Sequence, residues 1–521
     1  MDSTAPRDRS TFSFIRTFAP AILVGAFLLI LSLYWFSVCN TRTFLLFALL
    51  ATAAGTLLAY LACKGTLSSK KNPAIALACV LSFFAIVYTF AFPPLTVPDE
   101  AHHFYSSYWL ADVLTGQVDE KGFLIQTSDW ELFDSMEDNA VDTDDYRRII
   151  SEFELFQSDH STVSVDYFQY SLGSENPPAK VVTTIAILLG KLLNLGTYPL
   201  FYLGRLLNAA SFIICVIVSY RLIPFGKNVI VALSLLPMTL HLTASYSYDV
   251  GIIALGMLLT SLMLKAIVEK GPIDKPLAAS ILITSALLAP CKVIYSTILL
   301  LALFIPSERF ASRRTALLFK AGVFILPIVM ILMLRMTSIS SMASPSQVLD
   351  VRGTETGHFY ELSYIFKNPI AAITMFFRTL VVQGDFYWST MLGKSLGWFQ
   401  GNIAVPYFYC IPLLFGIAYA AQRDKFDTFS PSVTLKVASI AIAGISLAGC
   451  MVSMFIGHTF DTEPIIQGVQ GRYMLPVAIP LFLALRGRHV QIDNDGFPTV
   501  VTVFSVTNIV FLLHIVSSAL L

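Results

Sequence analysis

The segment Pro93-Pro94-Leu95-Thr96-Val97-Pro98-Asp99-Glu100-Ala101-His102-His103-Phe104 concentrates the groups best able to do chemistry. Its prolines end one element and impose an extended entry to the next. On a helix starting at Asp99, Asp99 and His103 share one face. A carboxylate with an imidazole one turn away is the pattern of a general base with its partner, or of half a metal site. A capped interfacial helix accounts for the same residues, with Asp99 at the N-cap and Glu100 in the first turn. A second acid, Asp249, closes Ser245-Tyr246-Ser247-Tyr248-Asp249 and opens an apolar run, where capping is again the bland explanation.

Four basic residues interrupt apolar surroundings: Arg205, Lys292 in Pro290-Cys291-Lys292, Arg378, and Arg472 in Gln470-Gly471-Arg472-Tyr473. Such cations can clamp a phosphate, arginine with a planar fork. Singly, each can also snorkel to lipid headgroups. Phe386-Tyr387-Trp388 and Gly397-Trp398-Phe399 suit an interfacial aromatic belt, or less simply a platform on which a sugar stacks. There is no Walker, GxSxG, HExxH or dinucleotide motif in a fitting context, which argues against nucleotide-driven chemistry.

The elements that position these residues are membrane helices. Of 521 residues 55% are hydrophobic and 13% charged, against about 25% charged in soluble domains. The apolar residues come in runs near the length that crosses a bilayer. Formal net charge is zero, so nothing points to nucleic acid. The seven cysteines form no CxxC pair, which predicts neither a disulfide framework nor structural zinc. Lysines and arginines collect in short loops, and placing those loops in the cytoplasm gives about thirteen crossings, a cytoplasmic N-terminus and a C-terminus outside.

The chain then divides into 1–92 with three spans, 93–199 as a first large outer loop with the acidic motif, 200–335 with central spans, 336–402 as a second outer loop with an interfacial helix, and 403–521 with the last spans. Fourteen acids against three basic residues between Asp119 and Asp166 predict a solvated loop. The run 179–195 is expected to lie at the outer interface, since counting it as a span would put Arg221 and Lys227 outside. The short pair 277–289 and 294–305 is either two complete spans or a re-entrant hairpin.

The order PDE-x-x-HF, SYD, CK-x-x-Y, LGW and QGRY-x-LP, from about Pro93 to about Arg486, resembles the bacterial membrane family called domain of unknown function 2142. His102 stands where that family usually has a small residue. The family in turn resembles GT-C glycosyltransferases, although this chain carries two extra spans before the motif and no large outer domain after its last span. The resemblance implies an all-α, polytopic, GT-C-like protein of the cytoplasmic membrane. Its partners would be the lipid bilayer, a polyprenyl-phosphate-linked sugar, and an envelope glycan, lipid or protein acceptor. It implies Asp99 as base, with Glu100 and His103 as its partners or as ligands of a divalent metal ion. For such a reaction the expected substrate-binding residues are Arg472, Lys292 and Arg205, whose charge suits the departing lipid phosphate, joined by Asp249, Trp398, Gln470 and Tyr473. The alternatives are a transporter or flippase of a lipid-linked glycan, or a polysaccharide polymerase.

Overall fold

The apolar runs fold as helices, because a helix satisfies its own backbone N–H and C=O groups where water cannot. In the computed structural model the described residues are 7–118, 122–134, 143–166, 177–343, 348–349, 356–397 and 404–520. Among them eight helices are long and apolar enough to cross a membrane: Phe18–Cys39, Arg42–Cys63, Pro73–Ala91, Thr197–Leu222, Asp249–Val268, Arg313–Met336, Val433–Gly457 and Gly496–Ala519. Four shorter apolar helices accompany them: Lys275–Cys291, Val293–Phe304, Tyr407–Ala421 and Gly471–Leu483. The strands among the described residues form two small antiparallel ribbons, Gly122–Gln126 with Thr162–Asp166 and Val348–Leu349 with Thr356–Gly357.

Besides the eight long helices, the crossings expected from hydropathy fall on short and broken segments. The run after Lys227 is two helices, Lys227–Ser234 and Pro237–Thr243. Pro237 has no N–H with which to continue the first. The carbonyl of Leu235, left at the break, accepts from Asn508 Nδ2 at 2.8 Å, while the Asn508 side-chain oxygen accepts from Tyr88 at 2.7 Å.

The short pair becomes an α-helix, Lys275–Cys291, and a 3-10 helix, Val293–Phe304, hinged at extended Lys292. Its base sits beside the end of Asp249–Val268, where Arg309 donates to the carbonyls of Lys265 and Ala266 at 2.9 and 2.7 Å. Its tip brings Lys292 Nζ to 4.0 Å from Asp249. The hairpin therefore runs the whole length of that helix. Seventeen α residues reach about 25 Å, and twelve residues wound as 3-10 reach about 24 Å.

Asp249–Val268 is the central, buried helix. Its Gly256 lets the Gly471–Val477 3-10 helix press close, since an added Cβ would stand 2.8 Å from the Pro476 carbonyl oxygen. Peripheral helices instead expose apolar side chains such as Leu23, Ile30, Leu317 and Met333, as lipid-facing helices do. Polar groups gather at two opposite ends. At one, Asp495 accepts from Ser68 and Ser69, Arg486 pairs with Asp427, and Asp424 accepts from Asn228. At the other lie the Pro93–Glu100 loop and the starts of Asp249–Val268 and Gly471–Val477.

Candidate functional site

The Pro73–Ala91 helix ends in carbonyls that have no intrahelical donor. Arg205 supplies donors to them. Its Nη1 donates to Thr89 O at 3.0 Å and Phe92 O at 2.5 Å, and its Nη2 to Pro93 O at 2.9 Å. The same guanidinium grips Glu100 with both prongs, Nε to Oε1 at 2.9 Å and Nη2 to Oε2 at 2.6 Å. Glu100 also accepts from the backbone N–H of Leu95 at 3.0 Å and of Tyr246 at 3.1 Å. Both side chains are sealed from solvent. The pair thus ties a helix end, a loop and the SYD segment to one point, and it leaves neither residue open to a ligand.

The loop held this way is strained at two places. Leu95 and Asp99 adopt φ of 67° and 63°, the left-handed region that side chains with a Cβ visit at a cost. Asp99 occupies the N-cap position of the Glu100–Thr115 helix, yet its side chain makes no capping bond. It turns instead to Arg472, whose Nη2 donates to Asp99 Oδ2 at 2.8 Å. Asp249, the first residue of its helix, is likewise drawn to Arg472, with Nε 3.0 Å from Oδ2 as an ion-pair contact without hydrogen-bond alignment. Local capping therefore does not account for either carboxylate.

Arg472 is placed by its neighbours. Gly471 lies so close to the Pro369–Leu392 helix that an added Cβ would stand 2.0 Å from Tyr387 O, and its N–H donates to Thr390 Oγ1 at 3.2 Å. Lys292 Nζ sits 3.7 Å from the centre of the Tyr473 ring, and Tyr295 donates to Tyr473 O at 2.8 Å. Two 3-10 segments thus begin side by side, each presenting a cation to Asp249. Arg472 and Asp249 are nearly buried, whereas half of the Asp99 side chain meets solvent, so the cluster opens at Asp99. Gln470 is the residue on which the second 3-10 helix starts, its carbonyl accepting from Tyr473 N at 3.1 Å.

The expected acid–imidazole–metal arrangement is not what these residues build. Glu100 faces Arg205, Asp99 faces Arg472, and the His103 ring stands edge-on to Tyr248 with centroids 4.6 Å apart. His103 Nδ1 is buried without a hydrogen-bond partner. Burial, followed by the charges of Lys180, His102, Arg472 and Lys292, holds its pKa well below the ordinary histidine range, so the ring is neutral at pH 7. Among the described residues no three of His, Cys, Asp and Glu form a metal-holding group, and the trio Asp99, Glu100 and His103 does not fit a divalent ion. Trp398 lies outside the described residues. Arg378 is exposed.

Two features escaped the sequence reading. Lys180, buried near the start of the Pro177–Leu192 helix, donates to Ser106 and lies 5.8 Å from the Tyr248 ring, the same distance as Lys292. A lysine soon after Pro177-Pro178, at the mouth of an apolar run, was its signal. Further out, Lys191 pairs with buried Asp112 and covers the Tyr108 ring at 3.9 Å. Asp129 nearby is buried, and burial raises its pKa to about 6 against the opposing pull of the Thr197 and Tyr108 hydroxyls and of Lys191. Nothing in a solvated acidic loop marks one aspartate as internal.

No curated protein and no solved structure gives a match to the chain. The family described as "Predicted membrane protein (DUF2142)" matches residues 79–481. That stretch contains Asp99, Asp249, Lys292 and Arg472, and it leaves out the first two helices and the last. Spanning well over half of the sequence, the match makes this chain a member of the DUF2142 family of membrane proteins.

Proposed function

We propose that the protein transfers a sugar from a polyprenyl-phosphate donor to an envelope acceptor at the outer face of the cytoplasmic membrane, in the manner of GT-C glycosyltransferases. One observation carries the reading: a half-exposed carboxylate, Asp99, stands 2.8 Å from a nearly buried guanidinium, Arg472, which Lys292 and Asp249 flank. Glycosyl transfer with inversion needs a base on the acceptor's face of the anomeric carbon and a cation at the leaving phosphate on the opposite face, so the Asp99–Arg472 contact has to open as the donor enters between them. The acceptor oxygen attacks the anomeric carbon and yields its proton to Asp99. The bond from that carbon to the phosphate oxygen breaks, and its electron pair leaves with the polyprenyl phosphate, which Arg472 and Lys292 stabilise. Preorganised charges in a site poor in water act more strongly than in bulk. An arriving phosphate competes with Asp99 for Arg472, so binding the donor is what frees the carboxylate. Glu100 and Arg205 hold the loop; neutral His103 and Tyr248 line the cluster from behind.

The test is reconstitution with a labelled polyprenyl-phosphate sugar and a mixture of envelope acceptors. A glycosidic product that disappears in Asp99→Asn supports the proposal. Movement of the lipid across the bilayer without product would make the protein a flippase, and wild-type transfer by Asp99→Asn would remove Asp99 from catalysis.

A further inference from the structure

Arg335 interrupts the apolar end of Arg313–Met336, the least buried of the membrane-length helices among the described residues. Leu332, Met333 and Met336 around it are exposed, and Arg335 itself is half-buried. Two contacts set its height. The helix packs along both arms of the hairpin made by Lys275–Cys291 and Val293–Phe304. A Cβ at Gly322 would stand 3.3 Å from Leu282, and Lys320 Nζ donates to Leu303 O at 3.2 Å. From Leu282 the first arm rises about 14 Å to Cys291, while the helix rises about 20 Å from Gly322 to Arg335. From Leu303 back to Val293 the second arm spans about 20 Å, against about 22 Å from Lys320 to Arg335. Both registers put Arg335 within about one helical turn of the Lys292 hinge. Its charge acts inward there, on Tyr248 and Cys291. An arginine that merely snorkels turns to the headgroups and away from the protein, so lipid contact alone does not account for a field on the residue before Asp249.

We infer that Arg335 is a further phosphate-binding residue of the cluster, receiving the phosphate monoester of a polyprenyl lipid on the bilayer side while Lys292 and Arg472 meet it from within. The chemistry fits the placement. A guanidinium offers a planar fork to phosphate oxygens, and a cation at the end of an apolar helix face marks a path for a charged group. Lys292 and Arg472 are nearly buried, whereas Arg335 stands at the seam between the hairpin tip and the exposed face of its own helix. A lipid whose phosphate rests on Arg335 thus has Leu332, Met333 and Met336 beside its chain. The inference rests on the transfer reading for the identity of the lipid, and binding is measured apart from transfer.

The experiment uses the full chain in phosphatidylethanolamine nanodiscs and a polyprenyl phosphate carrying a diazirine next to its phosphate. Expected is labelling of the wild-type peptide that contains Leu332–Met336, displaced by unlabelled polyprenyl phosphate and not by equal amounts of phosphatidylglycerol or inorganic phosphate. Arg335→Gln should weaken polyprenyl phosphate binding about 10–100-fold, the loss of one or two charge-assisted hydrogen bonds, and Arg335→Lys by less. Equal displacement by phosphatidylglycerol would make Arg335 an ordinary headgroup contact, and equal displacement by inorganic phosphate a free-anion site. Either result, an unlabelled peptide, or wild-type affinity in Arg335→Gln overturns the inference. Labelling needs no variant, so it decides the matter even where Arg335→Gln fails to fold. Binding that depends on Arg335 in a protein forming no glycosidic product keeps the inference and removes the transfer reading; product formed with wild-type affinity in Arg335→Gln does the reverse.

Discussion

Arg205→Met separates a holding role from a binding role. The replacement keeps length and apolar bulk but removes five donated hydrogen bonds, two to Glu100 and three to the carbonyls of Thr89, Phe92 and Pro93. Removing one partner from a buried ion pair costs about 3–5 kcal/mol, because the survivor is left charged and uncompensated. Unpartnered buried carbonyls add about 1–3 kcal/mol each where water cannot reach them. Glu100 keeps only the N–H groups of Leu95 and Tyr246. Replacing both members removes the charge that made the single variant costly, and a neutral pair is tolerated far better. Thermal unfolding in detergent should therefore rank wild type above Arg205→Met/Glu100→Gln, and that above Arg205→Met. Donor binding per folded molecule should change less than stability does. If Arg205→Met melts like wild type yet loses affinity for polyprenyl phosphate, then Arg205 is a ligand contact and the assignment of the pair to the scaffold is wrong.

Asp99→Asn should lower transfer by about 10²–10⁴-fold and change stability by less than about 1 kcal/mol, since its partner contact is half-exposed; turnover and melting measured on the same preparation check both. Gly471→Ala puts a Cβ 2.0 Å from a backbone oxygen of the Pro369–Leu392 helix and should cost about 1–3 kcal/mol, with transfer falling as Arg472 is displaced; wild-type values for both would refute the positioning of Arg472 by that contact. Asp129 carries a folded pKa of about 6, above the ordinary carboxyl value, so its contribution to stability is complete at low pH and is lost as pH rises toward 6. The loss reaches about 3 kcal/mol by neutral pH, and Asp129→Asn should therefore melt higher than wild type at about pH 7.5 and alike near pH 4; the reverse order would show an ionised, stabilised Asp129.

The charged centre was legible in the sequence because its members are costly where they stand. An acid after a proline-rich span end, an acid at the mouth of an apolar run, a lysine between two short helices and an arginine after a glycine each call for a partner in a water-poor place, and they are one another's partners. Which acid partners which cation was not legible. Asp99 and Glu100 are adjacent, and residues i and i+1 on a helix point in different directions, so one faces the opening and the other the protein interior. Only the left-handed turn at Asp99, imposed from Thr89, Phe92 and Tyr246, decides which is which. Among the described residues eight helices are of membrane length, and the remaining crossings expected from hydropathy fall on short or broken segments for a related reason. Hydropathy reads composition and assumes α-helical rise, while Val293–Phe304 covers its depth by winding as 3-10 and the run after Lys227 breaks before Pro237, where the Leu235 carbonyl accepts from Asn508 some 270 residues later.

The winding and the charge placement are one device. A 3-10 helix has poorer hydrogen bonds and is seldom longer than a turn or so, yet two such segments, Val293–Phe304 and Gly471–Val477, start beside each other at the cluster. An α-helix through either segment would be shorter and would rotate its first residue away from Asp249. The stretched form lets Lys292 and Arg472 reach the mouth while the rest of each segment packs at depth, joined by the bond from Tyr295 to Tyr473 O. If the proposed donor binds, weak internal bonding makes these the segments that would shift as its phosphate replaces Asp99 at Arg472. The Glu100–Arg205 tie next to Asp99 would hold that carboxylate in place, so that in the proposed reaction the movement would fall on the cations and not on Asp99.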